Sequence, residues 1–253
     1  MLIANCSRRV FLQSLSALGA LRLSASSRSR YVLSAESIDV VALRSGRASL
    51  LQRIASRSPS ALAFHPSGRF LYVANDIAEY ENRPRGTVEA YAIDARDGRL
   101  TFLARQALSL SATNPRAITV APAGGYLVVA AYEGGIYNVL PIGSDGVPGD
   151  ATGIFKELGS GPCSRQPSAH PHSLGFDSAG RYLISTDFGC DRISVFALRA
   201  GTLERVSQIF APPGSGPGAF ALDGSGSRLS VVHELSGGSS DYRIEAGVLT
   251  NVV

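Results

Sequence analysis

One strand–turn–strand pattern recurs four times along this chain of 253 residues, over 59–75, 115–130, 171–186 and 217–232, and it restricts the possible folds more than any other feature. Each copy opens on a proline: Pro59, Pro115, Pro171 and Pro217. An alternating apolar segment follows, then a tight turn closed by Gly68, Gly124, Gly180 or Gly226. Those glycines are spaced by 56, 56 and 46 residues. Glycine supplies the positive φ that a short antiparallel connection needs. Each copy ends in a β-branched and aromatic run such as Tyr72-Val73 or Val128-Val129, which suits a pleated, buried strand.

The remainder of each unit adds two more strands. Gly86–Asp94 alternates, turns at Asp97-Gly98 and continues through Leu100–Leu103. Arg192–Leu198, Ala200-Gly201 and Leu203–Val206 repeat that plan, as do Tyr242–Glu245, Ala246-Gly247 and Val248–Val252. No segment from Tyr31 onward carries a helical period. Four strands per unit at a period near 50 residues predicts an all-β fold, a β-propeller of four-stranded blades. A β-sandwich is the other architecture for such strands, but it would not require the repeat. Tyr31-Val32-Leu33, Ile38–Leu43 and Ala48–Leu51 read as the last strands of an earlier blade. Residues 31–253 thus hold about five blades' worth of strands, the last finishing at the C-terminus.

Composition narrows the function classes. With 45% hydrophobic and 17% charged residues the chain can build a large core and is not a disordered polymer. The net charge of +4 comes without any run of five basic residues, so the basic stripe with interleaved aromatics that nucleic acid requires is missing. Residues 1–30 differ from the rest. Ser7-Arg8-Arg9-Val10-Phe11-Leu12 precedes the apolar stretch Leu15–Leu21, a pattern that predicts a twin-arginine export signal and a periplasmic or secreted protein. That stretch is too short to span a bilayer, so no membrane anchorage is expected of the mature form. An ordinary N-terminal extension on a cytoplasmic protein is the other reading. Cys6 falls in the signal, while Cys163 and Cys190 are expected to be free thiols, with a disulfide as the alternative in an oxidising compartment. There is no CxxC, no zinc spacing and no haem motif, and no cofactor is expected.

Chemistry-bearing residues concentrate in the third and fourth copies. Of four histidines, His170 and His172 stand two apart, which places them on one face of an extended segment. Asp191-Arg192 opens a later strand of the same unit, and Glu234 follows the Val231-Val232 strand of the next. A base, an orienting acid and an arginine clamp for an anion could converge at one rim. Each has a plainer reading: a satisfied core or edge histidine, a solvated turn pair, a partner for a backbone N–H. His65, beside Pro66, reads as a turn residue. Spacings of 2 and 19 residues fit no standard metal site.

The wording of these copies resembles one family. His170-Pro171-His172-Ser173 with Asp187-Phe188-Gly189-Cys190-Asp191-Arg192 is similar to the PHxHS and DLGxDR signatures of lactonase-type seven-bladed propellers, the bacterial propeller 6-phosphogluconolactonases and the carboxymuconate-lactonising enzymes. Phe64–Asn75 resembles their first full blade, and Pro213–Pro217 with His233-Glu234-Leu235 their PGSGPRH and NEL stretches. The resemblance runs from about residue 31 to the end. It implies hydrolysis of a small anionic sugar lactone, without cofactor, at one mouth of the central channel. By position it implies His170, His172 and Glu234 as catalytic residues and Asp191 and Arg192 as substrate-binding ones. Two departures are visible. Gly218-Ala219 stands where the family has Arg-His, and the chain is about two blades short of seven. Both departures remove expected cations, so the alternative expectation is a non-catalytic propeller that binds a partner.

Overall fold

The computed structural model describes residues 29–44 and 47–252. The twin-arginine segment and Cys6 lie outside the described residues. Among the described residues, nineteen strands form five antiparallel sheets, one of three strands and four of four. The first blade is β1 (Ser29–Leu33), β2 (Ser37–Arg44) and β3 (Arg47–Ala55). The second is β4 (Pro59–Phe64), β5 (Phe70–Asn75), β6 (Thr87–Ile93) and β7 (Leu100–Ala107). The third is β8 (Pro115–Val120), β9 (Tyr126–Ala131), β10 (Ile136–Pro141) and β11 (Gly153–Lys156). The fourth is β12 (Pro171–Phe176), β13 (Leu183–Asp187), β14 (Arg192–Arg199) and β15 (Thr202–Phe210). The fifth is β16 (Pro217–Leu222), β17 (Arg228–His233), β18 (Ser239–Glu245) and β19 (Val248–Asn251). Within each sheet the strands lie in chain order, as up-and-down blades. The expected β-propeller of four-stranded blades is therefore present.

Packing explains why the middle strands read as unbroken apolar runs. All six residues of β5 and all five of β13 are buried, because blades cover both faces. Alternation then assigns each side chain to one neighbour. On β9, Leu127, Val129 and Ala131 join the cluster shared with the second blade, whereas Val128 and Ala130 join the one shared with the fourth. Polar side chains stitch the same seams: the Tyr72 hydroxyl donates to the Gly146 carbonyl at 3.1 Å, Ser60 to the Pro115 carbonyl at 2.7 Å, and Thr186 to the Gly218 carbonyl at 2.6 Å. His65 is the inter-blade turn residue its position suggested, with Nε2 3.1 Å from the Gly124 carbonyl oxygen.

The first strands of successive blades are neighbours, β4 beside β8, β8 beside β12 and β12 beside β16. Each starts on its proline, where the missing N–H costs least, and each then slips register by one residue. The extra residue is Ser60, Arg116, His172 and, in the fifth blade, falls within Gly218-Ala219. Such bulges bend a strand and re-aim one side chain. Here they occur at the same end of every first strand, and the chemistry collects there.

Candidate active site

His172 is the bulge residue of β12, and its ring meets Glu234, which follows β17 in the next blade. His172 Nε2 lies 3.2 Å from Glu234 Oε1, and Nδ1 lies 3.1 Å from the Ser173 hydroxyl. A carboxylate only accepts, so in the neutral imidazole Nε2–H donates to Glu234 and the Ser173 hydroxyl donates to Nδ1. The Glu234 backbone is fixed independently. Its N–H donates to the Gly216 carbonyl at 2.9 Å, and the Leu235 N–H donates to the Ser215 carbonyl at 3.0 Å.

An aromatic floor lies under this pair. Tyr132, just beyond β9, stacks on His170 with centroids 4.6 Å apart and meets His172 edge-on at 6.1 Å. Phe188, just beyond β13, lies 6.2 Å from Tyr132 and 6.5 Å from His172. Each ring carries an arginine. The Arg116 guanidinium sits 4.2 Å from the Tyr132 centroid, and that of Arg165 lies 5.2 Å from Phe188. Arg116 is also steadied by Asp76, 3.1 Å away. Residues from four blades thus meet at one mouth. The carboxyl of Glu234 is held below the usual carboxylate range, first by the hydrogen bond from His172 and then by the charges of His172, Arg165 and Arg116, against the opposing effect of burial. An ionised carboxylate sharing a proton with an imidazole, flanked by two arginines, can take a proton from water and steady a developing negative charge. Among the described residues no group of three or more His, Cys, Asp or Glu is arranged to hold a metal ion.

Comparison with known proteins identifies the family. The family profile for the seven-bladed β-propeller lactonases matches residues 25–252. The chain belongs to that family. A protein of Bacillus subtilis named 6-phosphogluconolactonase is 33% identical over 153 residues, covering 60% of this chain and 43% of the relative. A Formosa agariphila protein of the same name is 29% identical over 213 residues, covering 81% of this chain and 59% of the relative. Among solved structures, a periplasmic gluconolactonase of Pseudomonas aeruginosa superposes with a TM-score of 0.75 at 27% identity, covering 87% of this chain and 64% of that one. The chain therefore spans between two fifths and three fifths of the length of these curated relatives.

Within this lactonase framework the five residues singled out from sequence separate into two groups. His172 and Glu234 pair at the mouth, and His170 supports them from below. His170 is 5% exposed, with its Nδ1 3.0 Å from the Tyr132 carbonyl oxygen, which makes it a buried prop and not a free base. Asp191 and Arg192, expected to bind substrate, are engaged in internal contacts. Asp191, 4% exposed, accepts from the N–H groups of Gly214 at 2.6 Å and Gly216 at 2.8 Å and from the Gln166 amide at 2.7 Å. Its carboxylate fastens two loops together. The Arg192 guanidinium is buried, paired with Glu157 and donating to the Leu158 carbonyl at 2.7 Å. Glu157 also pairs with Arg205, so the cation expected to hold substrate sits in an internal ion triad. Sequence reasoning missed Arg116, Arg165 and Tyr132. Arg116 was findable, since it follows Pro115 as His172 follows Pro171 in the repeat register. Arg165 lies in the irregular stretch between β11 and β12 and has no such signal. Cys163 is exposed and Cys190 buried, and both are free thiols.

Proposed function

We propose that this chain hydrolyses a small anionic lactone of a sugar acid at the mouth where His172 and Glu234 meet. The observation that carries the reading is the 3.2 Å contact between His172 Nε2 and Glu234 Oε1, beside the Tyr132 and Phe188 rings that carry Arg116 and Arg165. The names of the Bacillus, Formosa and Pseudomonas relatives support the reaction class. Water enters beside Glu234, and its oxygen attacks the lactone carbonyl carbon while its proton passes to the His172–Glu234 pair. Negative charge on the former carbonyl oxygen is stabilised by an arginine guanidinium. The tetrahedral intermediate collapses by breaking the ring C–O bond, the alkoxide takes the proton back, and a hydroxy acid leaves. The second arginine holds the substrate's carboxylate or phosphate, for which a guanidinium fork is well shaped. Arg116 and Arg165 take the place in this scheme that the sequence alone assigned to Arg192. The twin-arginine pattern and the periplasmic location of the Pseudomonas relative support export, where the substrate would be an unphosphorylated aldonolactone.

The test is hydrolysis of glucono-lactones, with and without a 6-phosphate, by the purified chain in a pH-stat. Positioned acid–base groups contribute roughly 10²–10⁴-fold. His172→Ala and Glu234→Gln are each expected to lose catalysis in that range while melting as the parent does. A rate unchanged by both substitutions would overturn the assignment.

A further inference from the structure

Arg116 is the bulge residue of β8, in the register that His172 holds in β12, so both side chains are re-aimed at the same end of neighbouring first strands. Its guanidinium is held at two points. Nε donates to Asp76 Oδ2 at 3.1 Å, and the Tyr132 ring centroid lies 4.2 Å from its central carbon. Asp76, just beyond β5, is itself fixed. Its N–H donates to the Ser58 carbonyl at 2.8 Å, and its Oδ1 accepts from the Asn114 amide at 2.8 Å. The Asn114 carbonyl accepts the Tyr132 N–H at 3.0 Å, and the Tyr132 carbonyl oxygen lies 3.0 Å from His170 Nδ1. One hydrogen-bonded chain thus runs from Asp76 to His170, and Arg116 lies along it. Asp76 engages Nε alone, which leaves Nη1 and Nη2 of Arg116 without a hydrogen-bond partner among the described residues. Arg192 and Arg205 differ, because each commits a terminal nitrogen to Glu157.

We propose that Arg116 is the residue that holds the substrate's distal anion, a phosphate or carboxylate borne away from the lactone carbonyl, and that Asp76 is the positioning residue that presents it. The assignment rests on the lactonase reading above and settles which of the two arginines does which task. A pair of terminal N–H donors matches the oxygens of a carboxylate or phosphate. A guanidinium already fixed through Nε and over a ring loses little freedom when it takes that ligand. Arg165 is left for the developing oxyanion, and its charge acts on the Glu234 carboxyl more strongly than that of Arg116 does. Asp76 contributes orientation. Its negative charge alone would weaken the hold on an anion, so the two effects have opposite signs and can be told apart.

Four chains decide this: the parent, Arg116→Gln, Asp76→Ala and the double variant, each assayed on glucono-lactone with and without a 6-phosphate. The parent is expected to prefer the phosphorylated lactone in kcat/KM. Arg116→Gln should lower that preference about tenfold, chiefly through KM. Asp76→Ala should lower it about threefold, and should add nothing in the Arg116→Gln background. A parent that hydrolyses both lactones equally well overturns the proposal, as does an Arg116→Gln loss equal on both. A preference that rises in Asp76→Ala, or a further fall in the double variant, overturns the positioning role. Calorimetry with 6-phosphogluconate and gluconate gives a reading independent of turnover, and the parent's tighter binding of the phosphorylated acid should shrink in both single variants. If the parent hydrolyses neither lactone, the functional reading fails, and calorimetry still decides whether Arg116 holds the anion; equal affinities in parent and Arg116→Gln would overturn it. Should Asp76→Ala fail to fold, Asp76→Glu, which moves the carboxylate by one methylene, takes its place with the same expected fall.

Discussion

Asp187 sits in surroundings that reverse the usual pH behaviour of an aspartate. Its Oδ1 accepts the N–H groups of His170 at 2.8 Å, Gly189 at 2.9 Å and Cys190 at 3.1 Å, while Oδ2 is buried without a partner. Burial raises its carboxyl from the ordinary 3.8 to about 6, with the charge of Glu157 adding to the rise and the backbone donors and Arg192 opposing it. The sign for stability is opposite to that of a salt-bridged aspartate. Between pH 3.8 and about 6 the unfolded chain has lost this proton and the folded chain still holds it, so stability falls as pH rises through that window. Above about 6 both states are ionised and the full penalty, about 3 kcal/mol for a two-unit shift, is present. From pH 4.5 to 7 the parent should lose about 2 kcal/mol from this group. Asp187→Asn keeps the Oδ1 acceptor and should remove that loss, as measured by urea unfolding at the two pH values. An equal pH dependence in both chains would show that Asp187 does not carry it. At this scale the sequence was informative about His172 and Glu234, which it placed towards one rim and which the fold brings to 3.2 Å of each other. It gave no sign that Arg192 is internally paired, because its partner Glu157 lies 35 positions away in a segment with no repeat signature.

Strands were legible because three levels agree: local alternation, turn glycines and a repeat register that places equivalent residues in equivalent environments. Loops were not, because their conformation is set by contacts that cross between blades. Asp191 is the example. It sits in the left-handed region, φ 51°, which an aspartate tolerates better than most residues. From there its carboxylate binds both the Gly214–Gly216 turn leading into β16 and Gln166. Gln166 in turn donates to the Phe188 carbonyl at 2.8 Å and accepts from the Cys163 N–H at 3.2 Å, so the stretch carrying Arg165 hangs on the same point. One carboxylate therefore orders two of the segments that frame the mouth. Close packing completes the joint: a Cβ on Gly189 would collide with the Ser168 carbonyl. Removing the carboxylate leaves several buried donors without an acceptor, each worth about 1–3 kcal/mol. Asp191→Ala should therefore destabilise the chain by about 3 kcal/mol or more, and hydrogen exchange should accelerate across 160–168 and 212–216 before it does at the His65–Phe70 turn. Uniform acceleration, or none in those two segments, would separate Asp191 from loop order.

At the scale of the whole molecule, the described residues share no single centre. Their core divides into four clusters, each lying between two successive blades: Ile38 and Val40 with Leu71 and Val73; Tyr72 and Val88 with Leu127 and Val129; Val128 and Tyr137 with Leu183 and Phe196; Ile184 and Val195 with Leu229 and Tyr242. Adjacent residues of one strand therefore belong to different seams. Val128 and Val129 are both fully buried, yet Val128 faces the fourth blade and Val129 the second. This arrangement resembles that of repeat proteins, in which stability is a sum of nearest-neighbour interfaces. It also explains why a mouth assembled from four blades depends on every seam between them: Arg116 over Tyr132 is joined to the His172–Glu234 pair only across the third-to-fourth and fourth-to-fifth contacts. Truncating either valine to alanine removes two methyl groups and leaves a small void, at a cost of roughly 2 kcal/mol. Global stability alone should not distinguish the two. Native-state hydrogen exchange should, because local opening follows local contacts. Val129→Ala is expected to raise exchange in β5 and β6 more than in β13 and β14, and Val128→Ala to do the reverse. Activity should respond asymmetrically as well. The Val128 seam joins the blade of Arg116 and Tyr132 to that of His172, so under the proposed lactone hydrolysis its loosening should raise KM, while the Val129 substitution leaves it closer to the parent value. Identical exchange patterns for the two variants would mean that the blades open as one cooperative unit, and the seam-by-seam account of the fold would fall.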